Sequence, residues 1–162
     1  MIVDILHHGI TVSDLDTSIE WYTTALGLKL VHRQRQENSY TPVLVGVDNA
    51  VLEVAQLALA GGSGTTSTHN IELIQYVNAG IGGAPAKVNQ IGAAHLGFLV
   101  NDIDALYVRA LAAGAIFRNP PVEVTEGANT GALACYLRDP DGNTLEFLER
   151  ASSVNGRRIG GI

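Results

Sequence analysis

The chain has 162 residues, 46% of them hydrophobic and 16% charged, with 18 glycines, the make-up of a strand- and turn-rich globular protein long enough to bury an ordinary core. A net charge of −6 with a pI near 5.2 excludes a general basic field, so nucleic acid is not an expected partner. No run of 18 apolar residues suggests a membrane span, and Asp4 interrupts the opening MIVDILHHG where a secretory leader would be basic and then apolar, so a cytoplasmic protein with no membrane partner is expected.

The first predicted element is a strand around His7. Alternation puts Leu6, Ile10 and Val12 on one face, toward a helix, and Ile5, His7, Gly9 and Thr11 on the other. Asp14 stands where an N-cap carboxylate accepts free amide hydrogens, Leu15, Ile19, Tyr22 and Leu26 form a helical stripe, and Gly27 offers a left-handed stop. Strands are then expected over 28–36, 41–47 and 51–59, divided by the turn signals Asn38-Ser39 and Asp48-Asn49. A loop of small polar residues from Gly61 to Thr68 follows, which reads either as an idle surface connector or as a lid that folds over bound substrate. The strand over 70–77 closes the module, with Glu72 on the face away from Ile71 and Leu73.

The pattern then returns. His7, Gly9, Val12, Asp14 and Asp16 match His95, Gly97, Val100, Asp102 and Asp104 at a constant offset of 88 residues, which reads as an internal duplication. In the second copy a helical stripe runs through Ile103, Leu106, Tyr107, Ala110 and Leu111 to Gly114, and strands are expected over 115–117, 122–125, 132–137 and 144–149. Asp139-Pro140-Asp141-Gly142 suits a turn, since Pro sets φ at its second position and Gly accepts a positive φ at its fourth. Cys135, the single cysteine, lies in an alternating stretch and reads as a small strand residue rather than a nucleophile. The expected organisation is a first module over 1–77, a linker over 78–92, a second module over 93–150 and a tail without packing pattern over 151–162. His7 to Glu72 spans 65 residues and His95 to Glu146 spans 51; the 14 extra residues are assigned mostly to the loop before Glu72.

Four side chains stand out. His7, Glu72, His95 and Glu146 occupy equivalent places in the two copies, each on the strand face opposite the helix. Singly, each would be an ordinary polar strand residue; as an equivalent set they read as ligands of one divalent metal. Two imidazoles and two carboxylates suit Zn, Ni, Co, Fe or Mn and leave two positions open at a six-coordinate ion. Gly9 and Gly97, each two residues after its His, would leave room for a ligand. His8, His32 and His69 do not obey the repeat and are expected to be structural or surface residues.

The pieces His7-x4-Val12-x-Asp14-Leu15-Asp16, Trp21-Tyr22 with Leu26-Gly27-Leu28, Ile71-Glu72-Leu73, His95-x4-Val100-x-Asp102 and Asp139-Pro140-Asp141-Gly142-x3-Glu146 resemble the vicinal-oxygen-chelate superfamily over roughly residues 5 to 150. That superfamily includes glyoxalase I, methylmalonyl-CoA epimerase, extradiol dioxygenases and bleomycin resistance proteins. The resemblance implies an α+β fold of two βαβββ modules forming a curled, cleft-lining mixed sheet. It also implies a small-molecule substrate with vicinal oxygens.

The His, Glu, His, Glu set is similar to that of glyoxalase I, which implies proton transfer next to a carbonyl by a lyase, isomerase or epimerase, with Glu146 as the leading base and Glu72 as the second. Methylmalonyl-CoA epimerase usually has Gln at the position of Glu72, and Thr11 departs from the Arg that bacterial glutathione-dependent enzymes tend to carry there. An Fe²⁺ extradiol-type dioxygenase and a drug-binding resistance protein are the alternatives. Members of the superfamily pair modules within a chain or between chains; the two-copy layout permits either, and a homodimer is expected.

Overall fold

A computed structural model describes residues 1–62, 69–80 and 82–154. The chain divides into two compact units, Met1–Ala84 and Pro85–Ile162. The fold is α+β, with two mixed sheets, one per unit, and neither closes into a barrel.

In the first unit the elements are β1 (His8–Thr11), α1 (Leu15–Thr24), β2 (Lys29–Gln36), α2 (Thr41–Val45), β3 (Leu52–Ala58) and β4 (Ile71–Tyr76). The sheet order is β1-β4-β3-β2, with β1 parallel to β4 and the other pairs antiparallel. The second unit has β5 (His95–Val100), α3 (Ile103–Ala112), β6 (Ile116–Phe117), β7 (Val122–Glu123), β8 (Leu133–Arg138) and β9 (Thr144–Glu149). Its order is β5-β9-β8-β6, with β7 also on β8, and again the first pair is parallel. The duplication read from the 88-residue offset is therefore a duplication of topology.

The helix signals act as expected. The Asp14 carboxylate accepts from Thr17 N at 2.8 Å and Asp102 from Ala105 N at 3.0 Å, each satisfying an amide that the first helical turn leaves open. Gly27 at φ 75° and Gly114 at φ 84° take the left-handed conformation beyond each helix end. The helix α1 buries Leu15, Ser18, Trp21 and Tyr22, so its inner face is rotated from the expected stripe, with Ser18 in place of Ile19. Of the α3 stripe, Ile103 and Ala110 are buried, whereas Leu111 is exposed.

Four further expectations are corrected. Residues 41–47 are not a strand: Thr41–Val45 is a short helix with Pro42 in its first turn, where the missing N–H is harmless. Val45 and Val47 pack on a buried cluster of Ala50, Leu52 and Val54, joined by Ile74 and Tyr76. Leu6 does not face a helix; β1 begins at His8 and Leu6 is 61% exposed, although Ile10 and Val12 are buried as expected. The tail is not wholly without packing, because 151–154 form a helical turn that buries Val154.

The fourth concerns the extra length of the first copy. Register pairs Gln56 with Glu72 and Tyr136 with Glu146, so only 6 of the 14 extra residues fall between those strands and 8 fall earlier, in the stretch that contains α2. Residues 63–68 of the loop read as lid or connector lie outside the described residues, as do 155–162 of the tail. Gly61 and Gly62 are described, and Gly62 N donates to Leu59 O.

Candidate functional site

In both sheets the parallel strand pair carries the residues singled out by the repeat, except that His7 stands just before β1. Gly9 pairs with Glu72 and Gly97 with Glu146 in the same register; His95 lies two residues before Gly97 in β5, hence on the same face, and His7 immediately precedes β1. Leu145 and Phe147, on either side of Glu146, are fully buried, as are Ile71 and Leu73 around Glu72. That anchoring turns each carboxylate to the opposite, solvated face. A Cβ at Gly97 would stand 3.4 Å from Glu146 Oε2, so the glycine keeps clear the space that this carboxylate uses.

The structure brings the four expected residues together as two pairs, one inside each unit. His7 Nε2 lies 3.5 Å from Glu72 Oε2, and His95 Nε2 lies 3.3 Å from Glu146 Oε2. These separations exceed a good hydrogen bond. They match the spacing of two donors on a shared metal, since atoms each about 2.1 Å from one ion sit about 3.0 Å apart at a right angle and about 3.4 Å apart at the tetrahedral angle. The donor types and spacing fit a divalent metal.

Three neighbours were not singled out by the repeat. Gln56 Nε2 donates to Glu72 Oε1 at 3.4 Å. Its counterpart in the other sheet is Tyr136, whose Oη is 3.4 Å from His95 Nε2, with the two rings edge to face. Burial, and then the adjacent Glu146, push the Tyr136 phenol above its ordinary pKa, which keeps it a hydrogen-bond donor. Aligning the two copies on Glu72 and Glu146 does not reveal this equivalence, because the hairpins differ in length; only the cross-strand register does.

The third neighbour is His69, expected to be structural and found 6% exposed with Nε2 at 2.9 Å from His7 Nδ1. His7, His69 and Glu72 each offer a donor atom within 4.8 Å of the others. Burial first and His7 second hold His69 below the ordinary imidazole pKa, with Glu72 acting the other way. His8 is half-buried, with its pKa lowered by burial and by His7. His32 is exposed on β2 and pairs in register with Gln56, extending the polar row Gly9, Glu72, Gln56 across the sheet. Cys135 is buried, and burial, then Glu146 and Asp104, push its thiol up to about 11, consistent with a packing residue.

The model of the Glyoxalase/Bleomycin resistance protein/Dioxygenase superfamily matches residues 4–147. The chain belongs to that superfamily. Among relatives of this glyoxalase-superfamily protein, Bacillus subtilis YwbC is 33% identical over 144 residues, covering 89% of this chain and 95% of the relative. A probable lactoylglutathione lyase of Vibrio cholerae is 29% identical over 157 residues, covering 94% of each chain. A crystal structure of a glyoxalase family protein from Bacillus cereus superposes with a TM-score of 0.77 at 25% identity, covering 93% of this chain and 95% of that one. Among the described residues, no helix of the superfamily member is long and apolar enough to cross a membrane.

Proposed function

We propose that this protein is a divalent-metal-dependent enzyme that moves a proton at the carbon beside a carbonyl, with His7, Glu72, His95 and Glu146 as ligands of one Zn, Ni, Co, Fe or Mn ion. The observation that carries the reading is the pair of equivalent His and Glu side chains, one pair at the parallel strands of each unit, with His7 just before β1, at donor-to-donor distances of 3.5 and 3.3 Å. The lyase name of the Vibrio cholerae relative favours this chemistry, and its substrate is read as a small molecule with two adjacent oxygens. A homodimer and a cytoplasmic location belong to the same reading.

When bound, the metal supplies Lewis acidity that stabilises negative charge on the substrate oxygens and so acidifies the neighbouring C–H. Glu146 is the base: its carboxylate takes the proton and, in an isomerisation, returns it to the adjacent carbon, whereas in an epimerisation a second group, the part that Glu72 would take, delivers the proton to the other face. The buried neighbours Leu145 and Phe147 hold the strand that aims it. Tyr136 stands beside both His95 and Glu146 as a neutral donor, able to orient a substrate oxygen. Glu72 is the second candidate base, with Gln56 holding one of its oxygens.

A second reading rests on the cluster of His7, His69 and Glu72, because two imidazoles and one carboxylate are the ligand set of many non-haem Fe²⁺ oxygenases. Elemental analysis of protein purified without added metal separates the two. The first reading expects one divalent ion per chain, and a marked loss of that ion in His7→Ala and in His95→Ala. Equal metal content in wild type and both variants would remove the proposed site, and iron bound with His95→Ala unaffected would favour the second reading.

A further inference from the structure

Resting on the metal reading above, we propose that His69 is a positioning residue: its Nε2 accepts the Nδ1–H of His7 and so fixes the tautomer that leaves the His7 Nε2 lone pair facing Glu72. His7 Nδ1 is 2.9 Å from His69 Nε2, an ordinary hydrogen-bond length, and His7 Nε2 is 3.5 Å from Glu72 Oε2. In the second unit it is likewise Nε2 of His95 that faces its glutamate. The equivalence assigns Nε2 as the donor atom to the metal in both histidines. A neutral imidazole with a free Nε2 lone pair carries its proton on Nδ1, so His7 donates and His69 Nε2 must accept, with the His69 proton on its own Nδ1.

The alternative, His69 as a ligand, meets two obstacles. For facing nitrogens to share one ion, His7 would have to bind through Nδ1 and turn its other nitrogen away from that role, breaking the equivalence with His95. A fifth protein ligand would also leave a six-coordinate ion with one open position, too few for two adjacent substrate oxygens. A partner that orients a metal-binding imidazole through its second nitrogen is a common requirement of such sites. Here the duplication does not supply it twice. Counting from the glutamates, the place of His69 is taken in the second copy by Asn143, whose side chain is engaged with Asp139. Tyr136 stands at Nε2 of His95, the nitrogen on the glutamate side, and so does not take that part.

The test uses Co²⁺ titrated into the metal-free full chain, with affinity from chelator competition and the ligand set from the d–d absorption at saturation. His69→Phe removes the acceptor and is expected to weaken Co²⁺ binding about 10- to 100-fold, while the saturated spectrum stays that of wild type. His69→Gln offers Oε1 as a replacement acceptor and is expected to restore affinity to within a few-fold of wild type. A merely packing role would not distinguish the two variants in affinity, and His69→Ala takes the place of the Phe variant if that one does not fold. Wild-type affinity in His69→Phe would overturn the proposal, as would a changed spectrum in His69→Gln, which would make His69 a ligand. Failure of the underlying metal reading shows separately, as wild-type Co²⁺ affinity in His7→Ala.

Discussion

Glu149 is fully buried and its Oε2 accepts from Ile103 N, the first residue of α3, at 2.9 Å. The same contact exists in the first unit with an amide: Gln75 Oε1 accepts from Leu15 N, the first residue of α1, at 3.0 Å. Gln75 and Glu149 each follow their site glutamate by three residues, so this contact ties the strand that carries the glutamate to the start of the helix behind it. Glu149→Gln keeps the acceptor and is expected to change stability by less than about 1 kcal/mol, since the loss of charge at a helix N-terminus is worth only about 0.3–1 kcal/mol and burial of that charge opposes it.

Glu149→Leu leaves the Ile103 N–H buried without its acceptor, at about 1–3 kcal/mol. For a chain of this size each kcal/mol lowers Tm by about 2–4 °C, and a fall of about 4–8 °C is expected near the middle of that range. Urea midpoints and Tm of the metal-free protein measure both variants. A Leu variant as stable as wild type would refute the accounting, and a Gln variant as damaged as the Leu variant would show that charge, not the acceptor, is what the helix requires.

Glu146→Gln removes charge and basicity but little shape, and its flanking residues Leu145 and Phe147 stay buried; exchange of the substrate C–H for deuterium, followed by NMR, is expected to slow by about 10²- to 10⁴-fold with the urea midpoint unchanged. Full exchange activity would remove Glu146 as the base. With the Cys135 thiol at about 11, about one thiol in a thousand is ionised at pH 8, so a disulfide reagent should modify the native protein far more slowly than the urea-unfolded chain, and equal rates would contradict the burial. The folded thiol holds its proton more tightly than the unfolded one, so its contribution to stability is complete below pH 9.0 and is lost as the pH rises toward about 11.

Sequence alone determined what depends on residues close along the chain. The constant offset of 88 residues reveals the duplication, Asp14 and Asp102 mark the helix starts, and the Asp139 to Gly142 turn forms as its chemistry requires, with Asp139 accepting from Asn143 N at 2.7 Å and Gly142 at φ 85°. Alternation within each strand sorted Glu72 and Glu146 from their buried neighbours Ile71, Leu73, Leu145 and Phe147, because side-chain direction in a strand has a period of two whatever it pairs with. The apolar run at 41–47 could not be resolved that way. It is too short for a helical period to differ from a strand's, and packing of Val45 and Val47 against the end of β3 decided it.

The neighbours of the site needed tertiary structure for a different reason. His69 meets His7 across 62 residues and Tyr136 meets His95 across 41. Both contacts follow from which strands lie side by side and in what register, and register is a property of the pair of strands rather than of either sequence segment.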